Sequence, residues 1–270
     1  MPASEILRKA YAGKWALVTG ASAGIGEALA VELAAAGANL ILTARRADRL
    51  EELSTRLKSS HGIQTMVIPE DLADTAAPQH LYDATEGRGI AVDILINNAG
   101  FGYYGEFLNG DLAFQRRMVD VNCAAVVDIT HRFLPRMIER RRGDIMIVAS
   151  TASYQPVAYM STYAATKVFD RFLAEALAEE TRRHGIRVSA LCPGPTESEF
   201  GQVAGSRSGE TRKSQSAAEV ARLGLEGMVQ GKTWVIPYSG GRFQVFMQRF
   251  VPRRMVTSAA ARMFRPDSAK

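Results

Sequence analysis

Seven short apolar runs, separated by helix-like stretches, constrain this 270-residue chain more than any other feature in it. They read "WALVT", "NLILTA", "QTMVIP", "VDILIN", "DIMIVAS", "IRVSAL" and "TWVIP". Each is nearly continuously apolar rather than alternating, as strands buried on both faces are. Between them lie amphipathic patterns such as "GEALAVELAAAG", "ADRLEELSTRLKSS", "AAPQHLYDATEGR", the long stretch from Asp111 to Arg140, and Ala164 to His184. Strand and helix in alternation imply right-handed crossovers and one parallel sheet of about seven strands with helices on both faces. Pro135, late in its helical stretch, is expected to mark a bend or a new start. Residues 1–240 then form a single α/β domain, and 241–270 a helical extension of the same unit.

The first of these units carries a phosphate-type turn. "WALVTGASAGIGEALAVELAAAG" reads as strand, glycine turn and helix, with Gly20, Gly24 and Gly26 spaced T-G-x-x-x-G-x-G. Glycines let the backbone approach a pyrophosphate at a helix N-terminus, where free amides and the dipole favour anions. Glycine turns also serve plain packing; this one has the required strand before it and helix after it.

Further along, "STYAATKVFDRFLAEALAEE" sets Tyr163 and Lys167 four residues apart at the head of a helix, hence on one face. A nearby ammonium favours phenolate over phenol and is expected to move the tyrosine toward proton exchange near neutral pH. Thirteen residues earlier, Ser150 ends an apolar strand, where its hydroxyl would reach the carboxyl edge of the sheet.

With these residues on the page, the chain resembles the short-chain dehydrogenase/reductase family over about residues 13–237. The resemblance rests on "TGASAGIG", Asp71 with Leu72, "NNAG" from Asn97 to Gly100, Asn122, Ser150, Tyr163 with Lys167, and "PGPTES" from Pro193. It implies a single Rossmann-like, doubly wound domain. It also implies hydride transfer between a nicotinamide cofactor and a carbonyl or secondary alcohol, with Asn122, Ser150, Tyr163 and Lys167 as the catalytic set. In that set Tyr163 exchanges a proton with the substrate oxygen. Lys167 lowers the phenol's pKa and bonds the ribose, Ser150 donates to the oxygen where charge develops, and Asn122 holds a water in a proton relay. The positions that the resemblance assigns to cofactor are Gly20, Ser22, Gly24, Ile25, Gly26, Arg45, Arg46, Asp71, Leu72, Asn98, Ala99, Gly100, Tyr163, Lys167, Pro193, Gly194, Thr196 and Ser198.

The second apolar run ends in Ala44, Arg45 and Arg46, where NAD-preferring relatives usually carry a carboxylate. Arg45 offers a fork of donors suited to a 2′-phosphate, so NADP(H) is favoured over NAD(H). Two solvated arginines opening a helix are the plainer alternative, and Ala23 stands where many NADP-preferring relatives have a second basic residue. Asp71 would accept from the adenine amino group, and Asn97 is read as serving the sheet. The polar stretch from Pro193 to Gln215 is too long for an ordinary connection and reads as either a lid over substrate or a disordered surface loop, its place after a strand at the nucleotide-binding edge favouring the lid. Phe101, Tyr103, Tyr104, Tyr154 and Tyr159 are candidate walls of an apolar substrate pocket, or packing residues.

Charge and cysteine content narrow the rest. The two cysteines, Cys123 and Cys192, lie in apolar segments and are read as buried thiols, and the four histidines lack metal-ligand spacing, so no metal is expected. No leader-like or membrane-spanning stretch stands out, which makes a cytoplasmic location the default expectation. Net charge is +5, yet residues 241–270 hold seven Lys/Arg against one Asp, so the remainder is close to neutral and no nucleic-acid face is expected. That tail sets Phe243, Phe246, Met247 and Phe250, then Met255, Val256, Met263 and Phe264, at helical spacing among arginines 242, 249, 253, 254, 262 and 265. It is expected either to dock on the protein's own core or a sister subunit in a homo-oligomer, or to contact an anionic membrane peripherally. A cofactor-sensing scaffold without turnover is the rival functional class, and the complete Asn122, Ser150, Tyr163 and Lys167 set argues against it.

Overall fold

The computed structural model describes residues 5–205, 214–238 and 240–266. Its centre is one parallel seven-stranded sheet made of β1 (Trp15–Thr19), β2 (Asn39–Thr43), β3 (Thr65–Val67), β4 (Val92–Asn97), β5 (Gly143–Val148), β6 (Ile186–Leu191) and β7 (Trp234–Val235). The spatial order is β3-β2-β1-β4-β5-β6-β7. The chain starts in the middle, winds outward to β3, and returns across β1 to wind the other way. That reversal opens a crevice at the carboxyl ends of β1 and β4, the place where open α/β sheets bind ligands.

The continuous apolar runs are explained by a core on each side of the sheet. On one side, Ala16 and Val18 of β1, Leu40 and Leu42 of β2, and Ile94 and Ile96 of β4 meet α1 (Glu5–Tyr11), α2 (Gly24–Ala35), α3 (Ala47–His61) and a later helix, Ala217–Val229. On the other side, Leu17, Ile41 and Leu95 alternate with them, facing α4 (Ala77–Ala84), α6 (Ala125–Arg140) and α7 (Ser161–Thr181). Burying apolar side chains on both faces, at about 25 cal/mol per Å2, lets both sides of the central strands contribute to the hydrophobic stabilisation. Helix α1 is an element the sequence reading did not register, although Leu7 and Tyr11 on it are fully buried.

The stretch from Asp111 to Arg140 is not one regular helix. After α5 (Leu112–Val119), residues Asp120–Ala124 make a wider π-type turn before α6 continues through Pro135 to Arg140. The irregularity therefore falls at Asn122, thirteen residues before the proline expected to cause it, and such bulges recur at functional sites. Beyond β6, the polar connection holds a short helix, α8 (Phe200–Val203), and returns to pair Thr196 with Gln215; its residues 206–213 lie outside the described residues. α9 (Ala217–Val229) then leads to β7, and the extension folds as α10 (Gly241–Met247) and α11 (Arg253–Phe264). Residues 267–270 of the expected tail also lie outside the described residues.

Candidate active site

A cleft of about 710 Å3 runs along the carboxyl edge of the sheet, from Arg45 and Asp71 past the glycine turn to Ser150 and Tyr163. Its floor is the turn between β1 and α2. Gly20 and Gly24 adopt positive φ (65° and 60°), and a Cβ on Gly26 would lie 2.3 Å from the Gly20 carbonyl oxygen, so this backbone is closed to side chains. Ala23 at the N-cap of α2 makes no side-chain cap, which leaves the first amides of the helix facing the cleft. The turn is braced from β4: Asn98 Nδ2 donates to the Thr19 carbonyl at 2.9 Å, and Thr19 Oγ1 accepts from the Asn98 and Ala99 amides at 2.9 and 3.0 Å. Asn97, read from the sequence as serving the sheet, is not among the residues lining the cleft and ties β4 to a helix, its Nδ2 donating to Thr130 Oγ1 of α6 at 2.9 Å. This donor-lined cradle fits a dinucleotide pyrophosphate.

At the far end, Arg45 is exposed at the rim, while Arg46 lies across Ser22 (Nη2 to Oγ 3.0 Å) and pairs with Glu199 at 2.8 Å. Arg49 reaches the other oxygen of the same carboxylate at 2.6 Å. Glu199 comes from the polar connection after β6, so these pairs clasp that connection to the start of α3, and both arginines hold its carboxyl below the usual range. Neither Glu199 nor Arg49 was singled out from the sequence. Asp71 faces the cleft next to Leu72, and its carboxylate accepts from the Ala73 amide at 3.1 Å and pairs with Arg117. Asn98, Ala99, Gly100, Ile25, Pro193, Gly194, Thr196 and Ser198 all line the same cleft.

At the other end, β5, its 3-10 extension and α7 bring the proposed catalytic groups together. Ser150 Oγ accepts from the Ala152 amide at 3.1 Å, and the Ser150 side chain lies beside Tyr163, where it favours the phenolate. Lys167 is buried, and its Nζ donates to the Val148 carbonyl at 2.8 Å and to Asp170 Oδ2 at 2.9 Å. Asp170 is 1% exposed and was not anticipated as part of the site. It lies one turn beyond Lys167, and an i, i+3 Lys/Asp spacing on an amphipathic helix reads as an ordinary surface pair. Burial works against the Lys167 ammonium, but Asp170 and Tyr163 outweigh it and hold the lysine protonated, above its ordinary value.

The same pair corrects one expectation. Burial raises the Tyr163 phenol, Lys167 and the Ser150 hydrogen bond pull it down, and Asp170 adds to the rise; the net direction is upward. Lys167 therefore acts on Tyr163 as expected but does not prevail, because burial and a buried carboxylate oppose it. Cys123, the remaining titratable group at this corner, is pushed up to about 12 by burial and stays a neutral thiol. Asn122 is fully buried in the π-type turn, where Nδ2 donates to the Phe101 carbonyl and to Thr166 Oγ1, both at 3.0 Å, and Oδ1 accepts from the Phe101 amide at 3.1 Å. It ties the loop after β4 to α7 directly under the Tyr163–Lys167 turn.

The substrate wall differs in part from the expectation. Phe101 and Tyr104 line the cleft, but Tyr103, Tyr154 and Tyr159 do not. Tyr154 packs instead under the Arg171 guanidinium at 4.2 Å, Tyr103 packs on Gly105, Gly110 and Phe114, and Tyr159 takes positive φ (66°) in a turn. The apolar lining comes from elsewhere: Val157 and Met160 before α7, Phe200 and Val203 of the polar connection, and Val245 and Phe264 of the extension. Phe200 lies 5.0 Å from the Tyr163 ring, centroid to centroid.

The family profile for short chain dehydrogenase matches residues 14–208. The chain belongs to the short-chain dehydrogenase family of oxidoreductases. Among curated relatives it is 35% identical over 187 residues to the human very-long-chain 3-oxoacyl-CoA reductase, an alignment covering 67% of this chain and 59% of that protein. The chain thus spans about three-fifths of the length of such relatives. Among solved structures it superposes on a short-chain dehydrogenase from Sphingobium yanoikuyae in complex with NADPH, with a TM-score of 0.81 and 28% identity over 88% of this chain and 93% of that one. A short-chain dehydrogenase/reductase from Burkholderia phymatum in complex with NAD shares the fold, with a TM-score of 0.81 and 24% identity over 89% and 94% of the two chains. Relatives with either dinucleotide leave the cofactor preference to be argued from the residues of this chain.

Proposed function

We propose that this chain reduces a hydrophobic carbonyl compound with NADPH, Tyr163 delivering the proton. The observation that carries the proposal is the Ser150–Tyr163–Lys167 cluster, which stands at one end of the same cleft that has the glycine cradle as its floor. When bound, the nicotinamide would supply the hydride. Everything else falls to side chains. Ser150 and Tyr163 line the same end of the cleft, where their hydroxyls would hold the carbonyl oxygen and stabilise the charge that develops on it. The Tyr163 phenol, held above its ordinary value chiefly by burial, is protonated at neutral pH and can donate to the carbonyl oxygen. Lys167, fixed by Val148 and Asp170, presents its charge beneath the tyrosine ring, 6.0 Å from the centroid.

Preference for NADP(H) is supported by a strand end that carries Ala44, Arg45 and Arg46 and no acid. Arg46 is already shared between Ser22 and Glu199, so Arg45 at the rim is the residue left to pair with a 2′-phosphate. The apolar lining from lid and extension favours a lipid-like ketone, and the relative named for 3-oxoacyl-CoA reduction points to a 3-oxoacyl thioester as the first compound to try. Exposed Val127 on α6 and Phe169 and Phe172 on α7 support a homo-oligomer formed through these helices, which sedimentation would read directly.

The test is cofactor oxidation followed spectroscopically with NADPH or NADH against a series of ketones and 3-oxoacyl thioesters. Turnover that prefers NADPH and rises with substrate chain length is expected. Tight NADPH binding with no turnover of any carbonyl would instead identify a cofactor-binding scaffold.

A further inference from the structure

The extension has two faces with different fates. Its inner face belongs to the cleft: Val245, Gln248 and Phe264 line it together with Tyr163, Gln248 donates to Gln155 Oε1 at 2.6 Å, and Ala260 is buried. Its outer face is apolar and exposed. Phe243 and Phe250 are each 68% exposed and Met263 65%, with Phe246, Met247 and Met255 beside them. Aromatic side chains left in water at this density call for a covering surface. Residues 240–266 contain six arginines and no acidic residue, and Arg253, Arg254, Arg262 and Arg265 are exposed on α11 and just after it.

We infer that the outer face of α10 and α11 seats on an anionic lipid bilayer, which brings the mouth of the catalytic cleft to the membrane surface. Charge selects this occupant over a second copy of the chain. Two copies joined through this face would bring arginines together with no acid in the segment to neutralise them, whereas phosphate headgroups supply the missing charge and the acyl boundary takes the phenylalanines and methionines. No described helix is long and apolar enough to cross a membrane, so the contact is an interfacial one. The inference rests on the proposed reductase reading in one respect: a roof with an acyl phase on its outer side and the cleft on its inner side would pass a lipid-like carbonyl from bilayer to Tyr163.

The experiment uses the full-length chain and sedimentation with phosphatidylglycerol/phosphatidylcholine vesicles or phosphatidylcholine vesicles alone. Binding only to the anionic vesicles, lost at high salt, is expected. At about 1 kcal/mol per arginine near a charged surface, R253Q/R254Q should weaken vesicle affinity ~30-fold. F243S/F250S should also release the protein from vesicles. Neither pair lines the cleft, so NADPH-dependent reduction of a short water-soluble ketone should be unchanged in both, while KM for a vesicle-dissolved long-chain ketone rises. No sedimentation with anionic vesicles at low salt, equal binding to both vesicle types, or a change of oligomer mass in F243S/F250S would each overturn the inference. Failure of the reductase reading appears separately, as no turnover of any ketone with vesicle binding intact.

Discussion

Replacing Asp170 by asparagine removes one charge from the corner that holds Lys167 and leaves its shape almost unchanged. In the native protein the pair is nearly dry, Lys167 at 5% exposure and Asp170 at 1%, with Nζ and Oδ2 2.9 Å apart. Breaking a buried ion pair from one side costs about 3–5 kcal/mol, because the other charge is left uncompensated. Here the Val148 carbonyl and the new amide oxygen still accept from Nζ, which puts the expected loss near the lower end, ~3 kcal/mol. That corresponds to roughly 6–12 °C in Tm for a domain of this size. The folded-state pKa of Lys167 is raised, so its stabilising contribution is fully present below the ordinary lysine value and is lost only as pH rises through the higher folded value. Asp170 is itself raised, by burial against the pull of Lys167, so stability also falls as pH rises past the ordinary carboxyl range, and thermal unfolding at neutral pH reads the ion pair net of that cost. In a Lys167→Met background the same Asp170 substitution should cost far less, because the charge it served is gone. A second readout separates positioning from packing. Asp170 is among the groups that raise the Tyr163 phenol, so Asp170→Asn should move the alkaline fall in carbonyl reduction to lower pH. A stability loss under about 1 kcal/mol, an equal loss in both backgrounds, or an unmoved alkaline limb would refute this account of the corner.

Three further outcomes follow from the site. Tyr163→Phe keeps the ring but removes the transferable proton, so carbonyl reduction should fall by ~10²–10⁴ with NADPH affinity retained in a fluorescence titration; near-normal turnover would exclude Tyr163 as the acid. Arg45→Ala should weaken NADPH binding by about 1.5–3 kcal/mol and leave NADH nearly untouched, whereas equal losses for both in calorimetry would remove Arg45 from the 2′-phosphate site. Gly26→Ala places a methyl group 2.3 Å from the Gly20 carbonyl oxygen, and since that oxygen is backbone and a Cβ has no rotamer by which to move away, the turn itself must shift. A cost of about 1–3 kcal/mol in stability and a marked loss of affinity for either dinucleotide are expected, read by thermal shift with and without cofactor.

The parts legible in the sequence are those whose physics is local. A strand buried on both faces is apolar at most positions, so β1, β2, β4, β5 and β6 stood out as runs despite buried Asp93, Asn97, Asp144 and Ser189, and a turn with no room for Cβ atoms had to be written in glycine. Tyr163, Lys167 and Ser150 were likewise marked by spacing and by their places at the ends of elements. Long-range choices left no such mark. Asp170 looks like one more helix carboxylate until α7 is packed against β5 and the side chain has nowhere to go but Lys167. Tyr103, Tyr154 and Tyr159 share the cleft's neighbourhood in sequence with Phe101 and Tyr104, yet turn toward packing partners, because which side of a loop faces the cleft is set by the elements it crosses. Glu199 is 153 residues from Arg46 in sequence, so nothing local could announce the clasp between the polar connection and α3. The extension is a mixed case. Its helical stripes were readable, but the choice offered between docking and membrane contact was too simple, since a pair of helices carrying apolar residues on more than one side can line the cleft with Val245 and Phe264 and still expose Phe243 and Phe250. One face of such a segment answers to the core and the other to whatever surrounds the protein, and only the first of these is written in the contacts of a single chain.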